Sequence, residues 1–308
     1  MIEQPPPSRD GRSPRGPVLV TGATGQLGQA IAARFARTRT VTALGRADLD
    51  VTRADDVRRV VADCAPAVIV NCVAFNQVDR AQQEAEEALA VNAFAVRNLA
   101  RAAADAGATL VHYSTDFVFD GETDRPYRED DPASPRSVYA ASKLMGEWFA
   151  AEAPSHFVLR VESLFGGLGK MSGSFDKIIG AIAAGERVRV FVDRVVSPSY
   201  VWDVVDATEA LLDRGLERGV YHCANTGHAT WAALAEHTAG RLGGRARLEH
   251  VRMADVPLPA ARPRYCALAN DKLLAAGIVM PTWQEALDRY LVARGLVAAP
   301  EAADTMDI

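Results

Sequence analysis

The chain is an α/β protein built on a doubly wound parallel sheet of the Rossmann type, with a smaller α/β substrate region towards its C-terminus. Three observations predict this. From Pro17 onward, short apolar runs alternate with helical stretches. The early runs are apolar at nearly every position, as in strands covered on both faces, rather than at every second one. A glycine-rich turn stands between the first run and the first helix, a place where open α/β sheets bind ligands.

The elements follow in order. PVLV (17–20) is the first strand, and QLGQAIAARFART (26–38) is helical by its alanines and its three–four apolar spacing. TVTAL (40–44) is a second strand, RADDVRRVVADC (53–64) a second helix and AVIVNCVA (67–74) a third strand. Helix formers then run through Asp105, and TLVHYST (109–115) is the fourth strand. A loop rich in Asp, Pro and Arg spans 119–136, the helix SVYAASKLMGEW (137–148) follows, and HFVLRVESLF (156–165) is one further strand. Past Gly166 the regularity loosens. GGLGKMSG (166–173) reads as a flexible loop, with helices at 177–185, 202–215, 230–243 and 281–291 and strands at 188–191 and 219–225. Thr230 is placed to cap its helix. The expected organisation is a disordered tail (1–16), a nucleotide-binding domain (17–165), a substrate-binding region (166–295) and a second tail (296–308). Later strands within 193–225 are expected to return to the first sheet.

Composition excludes several classes. A chain of 308 residues, 49% hydrophobic and 24% charged, supports a sizeable core and is not disordered throughout. The formal net charge is −5, and no basic stripe with interleaved aromatics offers itself to nucleic acid. No apolar run approaches the ~18 residues of a membrane span, and the first residues have no apolar core of a signal peptide. Cys64, Cys72, Cys223 and Cys266 are scattered, without CxxC or ligand spacing. They read as buried thiols of a reducing compartment, and a cytoplasmic protein is expected.

VTGATGQLGQA (20–30) sets Gly22, Gly25 and Gly28 between a strand and a helix. Glycines let the backbone approach a pyrophosphate, and the helix start offers free N–H groups and a positive dipole end. The spacing G-x-x-G-x-x-G is one residue longer than the usual dinucleotide fingerprint. The second strand ends ALGRADLD, without the acid that takes the ribose hydroxyls of NAD. Arg46 is placed either to pair with the 2′-phosphate of NADP or to lie exposed over the adenine. NADPH is the favoured cofactor, with NADH as the alternative. Asp50 is a candidate for the adenine edge or a turn carboxylate.

Tyr139 and Lys143 stand four residues apart on one helix face. An unperturbed tyrosine has a pKa of about 10 and is a poor acid–base catalyst at neutral pH. A nearby ammonium is expected to bring that value down, and the same lysine can hold the nicotinamide ribose. A third group should bond the substrate carbonyl, and HYSTDFVFDG (112–121) supplies Ser114, Thr115 and Asp116 at the end of the fourth strand. Thr115 is the expected donor, with Asp116 beside it contacting substrate.

GATGQLG, LDVT, VNCVAFNQVDRAQQEAEEALAVNA, YSTDFVFDG, SVYAASKLMGE and RPRYCALANDKL together resemble the dTDP-4-dehydrorhamnose reductases, a branch of the extended short-chain dehydrogenase/reductases. The similarity runs from about Pro17 to Leu291. It implies reduction of the 4-keto group of a nucleotide-linked deoxyhexose, with Tyr139 as proton donor, Lys143 as ribose and pKa partner, and Thr115 as carbonyl donor. It implies further that Gly25, Gln26 and Leu27 line the pyrophosphate and that Val73, Ala74 and Phe75 flank the cofactor. A homodimer is a possible assembly. Glu84, Glu86 and Glu87 correspond to a region some relatives use for divalent metal; here they read as a solvated face, so no metal is expected, with Mg2+ the alternative.

The chain departs from the family at RVESLFG (160–166), where relatives carry a tryptophan against the sugar. That position is Ser163, with Glu162 just before it, so a different sugar pocket is expected. DRVVSPSYVWDV (193–204) lacks the usual D-Q-x-G. Two alternatives stand beside the reductase. A dehydratase or epimerase is one, although Phe117 stands where dehydratases carry a glutamate. The other is a non-catalytic NADP-binding subunit like that of methionine adenosyltransferase.

Overall fold

The computed structural model describes residues 16–169, 173–244 and 246–298. The tail expected at 1–16 lies outside them except for Gly16, as do Lys170, Met171 and Ser172 of the loop expected to be flexible. From the N-terminus the elements are β1 (Val18–Thr21), α1 (Gln26–Phe35), β2 (Val41–Leu44), α2 (Ala54–Cys64), β3 (Val68–Asn71), α3 (Val78–Gln83) and α4 (Ala85–Leu89). A π-turn (Ala90–Phe94) leads into α5 (Ala95–Ala106), then β4 (Thr109–Thr115), a 3-10 turn (Asp116–Val118), α6 (Val138–Ala150) and β5 (His156–Val161). Next come β6 (Leu164–Phe165), α7 (Ser174–Ala183), β7 (Arg187–Phe191), β8 (Val195–Val196), β9 (Ser199–Tyr200) and α8 (Val201–Asp213). The chain continues with β10 (Gly219–His222), β11 (Ala229–Thr230), α9 (Trp231–Arg241), β12 (Arg247–Val251), α10 (Asp271–Ala275) and α11 (Trp283–Ala293).

Six strands form one parallel sheet in the order β10-β5-β4-β3-β1-β2. Successive side chains of a strand point to opposite faces. Val18, Val20, Val68, Val70, Val111 and Phe157 accordingly join α1 and α8 in one cluster, while Leu19, Ile69, Leu110 and Val158 join α2 and α5 in another. Each such side chain, fully buried, contributes about 1.5–3 kcal/mol. This double coverage is why the strands read as unbroken apolar runs. β2 and β3 flank β1 on opposite sides, so the chain reverses its direction of travel there and opens a crevice at the strand ends.

Two expected elements are broken, each for a visible reason. The strand expected over 156–165 stops at Val161. Glu162 is buried, its N–H bonds Ser199 Oγ at 3.1 Å and its Oε2 accepts the Ser197 N–H at 2.6 Å. Ser163 follows in the left-handed region at φ +44, and β6 pairs with β9 instead of the central sheet. The helical run towards Asp105 is interrupted at Glu84 and at the π-turn, where the amide of Asn92 bonds both backbone groups of Phe75 (2.8 and 3.0 Å). Of the strands within 193–225, β10 joins the central sheet, whereas β8 pairs with β11 and β9 with β6.

The remaining elements pack around Phe165, Phe175, Trp231, Trp283 and Tyr290. Leu296 and Val297 pack against this cluster as well, so the structured chain runs into the stretch expected to be tail; residues 299–308 lie outside the described ones. All four cysteines are free thiols, but only Cys223 and Cys266 are buried as expected; Cys64 and Cys72 are half-buried. No helix among the described residues is long and apolar enough to cross a membrane.

Beneath the sheet ends lies a buried ion pair. Arg160 Nε and Nη2 donate to the two carboxylate oxygens of Glu147 at 2.9 and 2.8 Å, and Ser114 Oγ donates to Oε1 at 2.5 Å. Removing one partner strands the other charge in a low dielectric. Arg160→Met is expected to lower stability by about 3–5 kcal/mol in urea unfolding, and Glu147→Leu with Arg160→Met to recover more than half of that loss.

Candidate active site

The glycine turn follows β1 into α1 at the crevice. Gly22 has φ +71, and a Cβ there would meet the Cys72 carbonyl carbon at 2.7 Å. A Cβ on Gly28 would lie 2.3 Å from the Gly22 carbonyl oxygen. Both glycines are therefore demanded by the turn itself. Gly25 caps α1, whose ladder of hydrogen bonds begins at Gln29 N–H to Gly25 O (3.0 Å). The N–H groups of Gln26, Leu27 and Gly28 precede that ladder, as first-turn groups of any α-helix do, and form an anion site in waiting. The side chains of Gln26 and Leu27 are occupied elsewhere. Gln26 Nε2 donates to the Gly166 carbonyl and to Asp176 Oδ2 (2.8 Å), and Leu27 is buried in the core. What these two residues offer a phosphate is backbone.

A cavity of about 420 Å³ opens beside the turn. Gly22, Gly25, Arg46, Asp50, Val73, Ala74 and Phe75 all line it, so seven of the residues expected at the cofactor meet in one place. The Arg46 side chain is 91% exposed, with Glu87 at 3.9 Å. Asp50 Oδ1 accepts the Thr52 hydroxyl at 2.7 Å and the Thr52 N–H at 3.0 Å, bonds that hold its carboxyl below the usual range. It is thus a turn carboxylate at the cavity wall. Asp48, absent from the sequence reading, ties the tip of β2 by accepting the Gly45 N–H at 2.8 Å.

The second group stands at the end of β4 and on α6. Ser137 caps α6 by accepting the Ala140 N–H at 3.3 Å. The buried face of α6 includes Ala140, Lys143, Leu144 and Glu147, so two charged residues occupy an interior stripe. Lys143 is 2% exposed and its Nζ donates to the Tyr113 carbonyl at 2.6 Å. Burial lowers its pKa to about 8. Tyr139 packs edge-on against Phe117, with ring centroids 5.5 Å apart. Its pKa moves opposite to the expectation, because burial pushes it up to about 12 and only the Thr115 hydroxyl opposes this. The Lys143 ammonium is held by the Tyr113 backbone carbonyl. A tyrosine with that pKa is fully protonated at neutral pH, the form a proton donor requires.

Thr115 Oγ1 donates to Asp116 Oδ1 at 2.8 Å and accepts the Phe117 N–H at 3.3 Å. Asp116 is 3% exposed, and burial raises its pKa. Ser163 is half-buried between β5 and β6. The acidic cluster is ion-paired surface, with Arg80 bonding Glu84 at 2.7 Å and reaching Glu87 at 3.6 Å.

Several supporting residues escaped the sequence reading. Asn92 Nδ2 also donates to Ser142 Oγ at 3.0 Å, and Ser142 Oγ to the Tyr139 carbonyl at 2.8 Å, tying the π-turn to α6. Asn71 accepts from Thr21 Oγ1 at 2.9 Å and contacts His112 Nδ1 at 3.1 Å, a polar link across three strands. Glu147 continues the spacing of Tyr139 and Lys143 by another four residues, a signal present in the sequence. Asn71 and His112 were visible as polar residues inside apolar strands; Asn92, within a run of helix formers, gave no sign.

The RmlD substrate binding domain family matches residues 16–294. A dTDP-4-dehydrorhamnose reductase from Streptomyces griseus is 40% identical over 283 residues, covering 89% of this chain and 92% of the relative. The chain belongs to the dTDP-4-dehydrorhamnose reductase family. A probable dTDP-4,6-dihydroxy-2-methyloxan-3-one 4-ketoreductase from Streptomyces antibioticus is also similar, at 36% identity over 87% of this chain and 92% of the relative. The crystal structure of the Bacillus anthracis reductase in complex with NADP superposes with a TM-score of 0.86 and 31% identity, over 91% of this chain and 99% of that one. The reductase fold thus spans nearly all the described residues.

The Lys143 shift has a consequence for stability. Between about 8, its folded value, and its ordinary 10.5, the unfolded chain binds more protons, so stability rises with pH through that window. Lys143→Met removes the dependence. Its stability relative to the parent, by chemical unfolding, is expected to fall by roughly 3 kcal/mol from neutral pH to pH 10.5.

Proposed function

We propose that this protein reduces the 4-keto group of a dTDP-linked 6-deoxyhexose with NADPH, using Thr115, Tyr139 and Lys143. The observation that carries the reading is Tyr139, half-buried against the Phe75 cluster and one helical turn from the buried Lys143, next to a cavity built on a glycine turn. The 40% identical reductase and the 31% identical structure with NADP support it from outside the chain. The β1–β5 part with β10 would hold the dinucleotide, and the chain after Gly166 the sugar nucleotide.

NADPH, when bound, supplies the hydride. The free N–H groups at the start of α1 receive its pyrophosphate, and Arg46, exposed at the cavity rim, receives the 2′-phosphate. Thr115 turns its hydroxyl to the keto oxygen as charge develops there, and Tyr139 gives that oxygen its proton. Lys143, fixed by the Tyr113 carbonyl, presents its remaining N–H groups to the nicotinamide ribose. Ser163 in the tryptophan position leaves the sugar side more open, which suits the range of keto sugars that relatives are named for.

Loss of NADPH absorbance with purified protein and dTDP-4-keto-6-deoxy-L-mannose tests the reading; no oxidation of NADPH with this or any related dTDP-keto sugar would overturn it. Tyr139→Phe is expected to lower turnover by about 10²–10⁴-fold with NADPH binding nearly unchanged. Arg46→Ala is expected to raise the KM for NADPH roughly tenfold and leave that for NADH as it was.

A further inference from the structure

Behind Thr115 lies a buried polar cluster that the reaction as described does not use. Carboxylate oxygens of Asp116 and Glu162 and the Sγ of Cys266 lie within 4.8 Å of one another, and all three residues are buried. Each carboxylate has one oxygen engaged. Asp116 Oδ1 accepts from Thr115, and Glu162 Oε2 accepts from the Ser197 N–H. Asp116 Oδ2 and Glu162 Oε1 have no hydrogen-bond partner among the described residues. The Cys266 thiol donates to the Pro263 carbonyl at 3.3 Å.

Charge balance points the same way. Arg194, itself buried, lies over the rings of Phe117 and Trp231 and acts electrostatically on both carboxyls. Two carboxylates and one guanidinium leave an uncompensated negative charge in the interior, which is costly. One proton makes the cluster neutral. Among the described residues the other titratable groups acting on it are Cys266 and Tyr265 from the 263–268 loop and Tyr139 from α6, and none of these brings a positive charge.

We infer that Asp116 and Glu162 share one proton between their two otherwise unpartnered oxygens, and that Glu162 thereby acts as a positioning residue for Thr115. The inference rests on Thr115 being the substrate-oxygen donor. A hydroxyl has one proton to give. A full Asp116 carboxylate holds that proton; a carboxyl sharing its charge with Glu162 releases it to the keto oxygen. Burial and the neighbouring Asp116 carboxyl push Glu162 well above the ordinary carboxyl range, which supports the sharing.

The test combines infrared difference spectra of the cofactor-free protein, titrated from mildly acidic to alkaline pH, with kinetics of Glu162→Gln. The parent is expected to show a protonated carboxylic acid band at neutral pH that fades as pH rises and is missing from the variant. In the variant Asp116 is a full carboxylate at neutral pH. Its kcat should be about tenfold lower with KM for the sugar little changed, and should recover as pH is lowered. No acid band in the parent, or a variant with the parent's kcat and pH profile, would overturn the inference. If the variant does not fold, the spectrum of the parent decides. A band in a parent that turns over no keto sugar overturns the reductase reading and the positioning role, while the shared proton stands.

Discussion

The inward face of α6 carries an ammonium and a carboxylate, Lys143 and Glu147, to positions 2% and 5% exposed, and the surrounding chain is arranged around that burial. Each charge taken out of water costs several kcal/mol unless it is paired or hydrogen-bonded. Lys143 is met by the Tyr113 carbonyl at the end of β4, and Glu147 by Arg160 from β5 and Ser114 from β4. The helix is thus fixed against two adjacent strands by polar contacts as well as by packing. Arg160 in turn lies over the Phe119 ring and reaches His222 on β10 at 3.3 Å, so the network crosses to the edge of the sheet. Tyr139 is placed by the same helix.

The glycine-turn side is held by different means. Close backbone contacts, rather than charges, set the glycine turn. The crevice exists because β2 and β3 lie on opposite sides of β1. The cavity wall formed by Val73, Ala74 and Phe75 is pinned where Asn92 takes both backbone groups of Phe75. A π-turn puts one extra residue into a helix and re-aims a side chain; here it aims Asn92 at the chain leaving β3.

Much of this was legible in the sequence, because the signals were local. Continuous apolar runs identify doubly covered strands. The glycine turn and the Tyr139–Lys143 spacing each lie within a dozen residues and depend on one helix start or one helix face. What was not legible depends on distant partners. The end of β5 at Val161 is set by Ser197 and Ser199, which capture Glu162 from more than thirty residues away. The upward shift of Tyr139 follows from burial by the folded chain, which no spacing encodes. Asn92 has its role only because a π-turn forms.

Gln26 joins the glycine turn to the chain after β6 in a way that bears on how each can change. Its side chain leaves the first turn of α1 and bonds both the Gly166 carbonyl and Asp176, while Asp176 Oδ1 accepts the Gly166 N–H at 3.0 Å. A residue in the first turn after the glycine loop is therefore also a strut for the chain that follows β6. A change at position 26 removes one of several contacts on Asp176, which still accepts the Gly166 and Gly173 N–H groups, so the glycine turn and the chain between β6 and α7 share a contact that neither can alter alone.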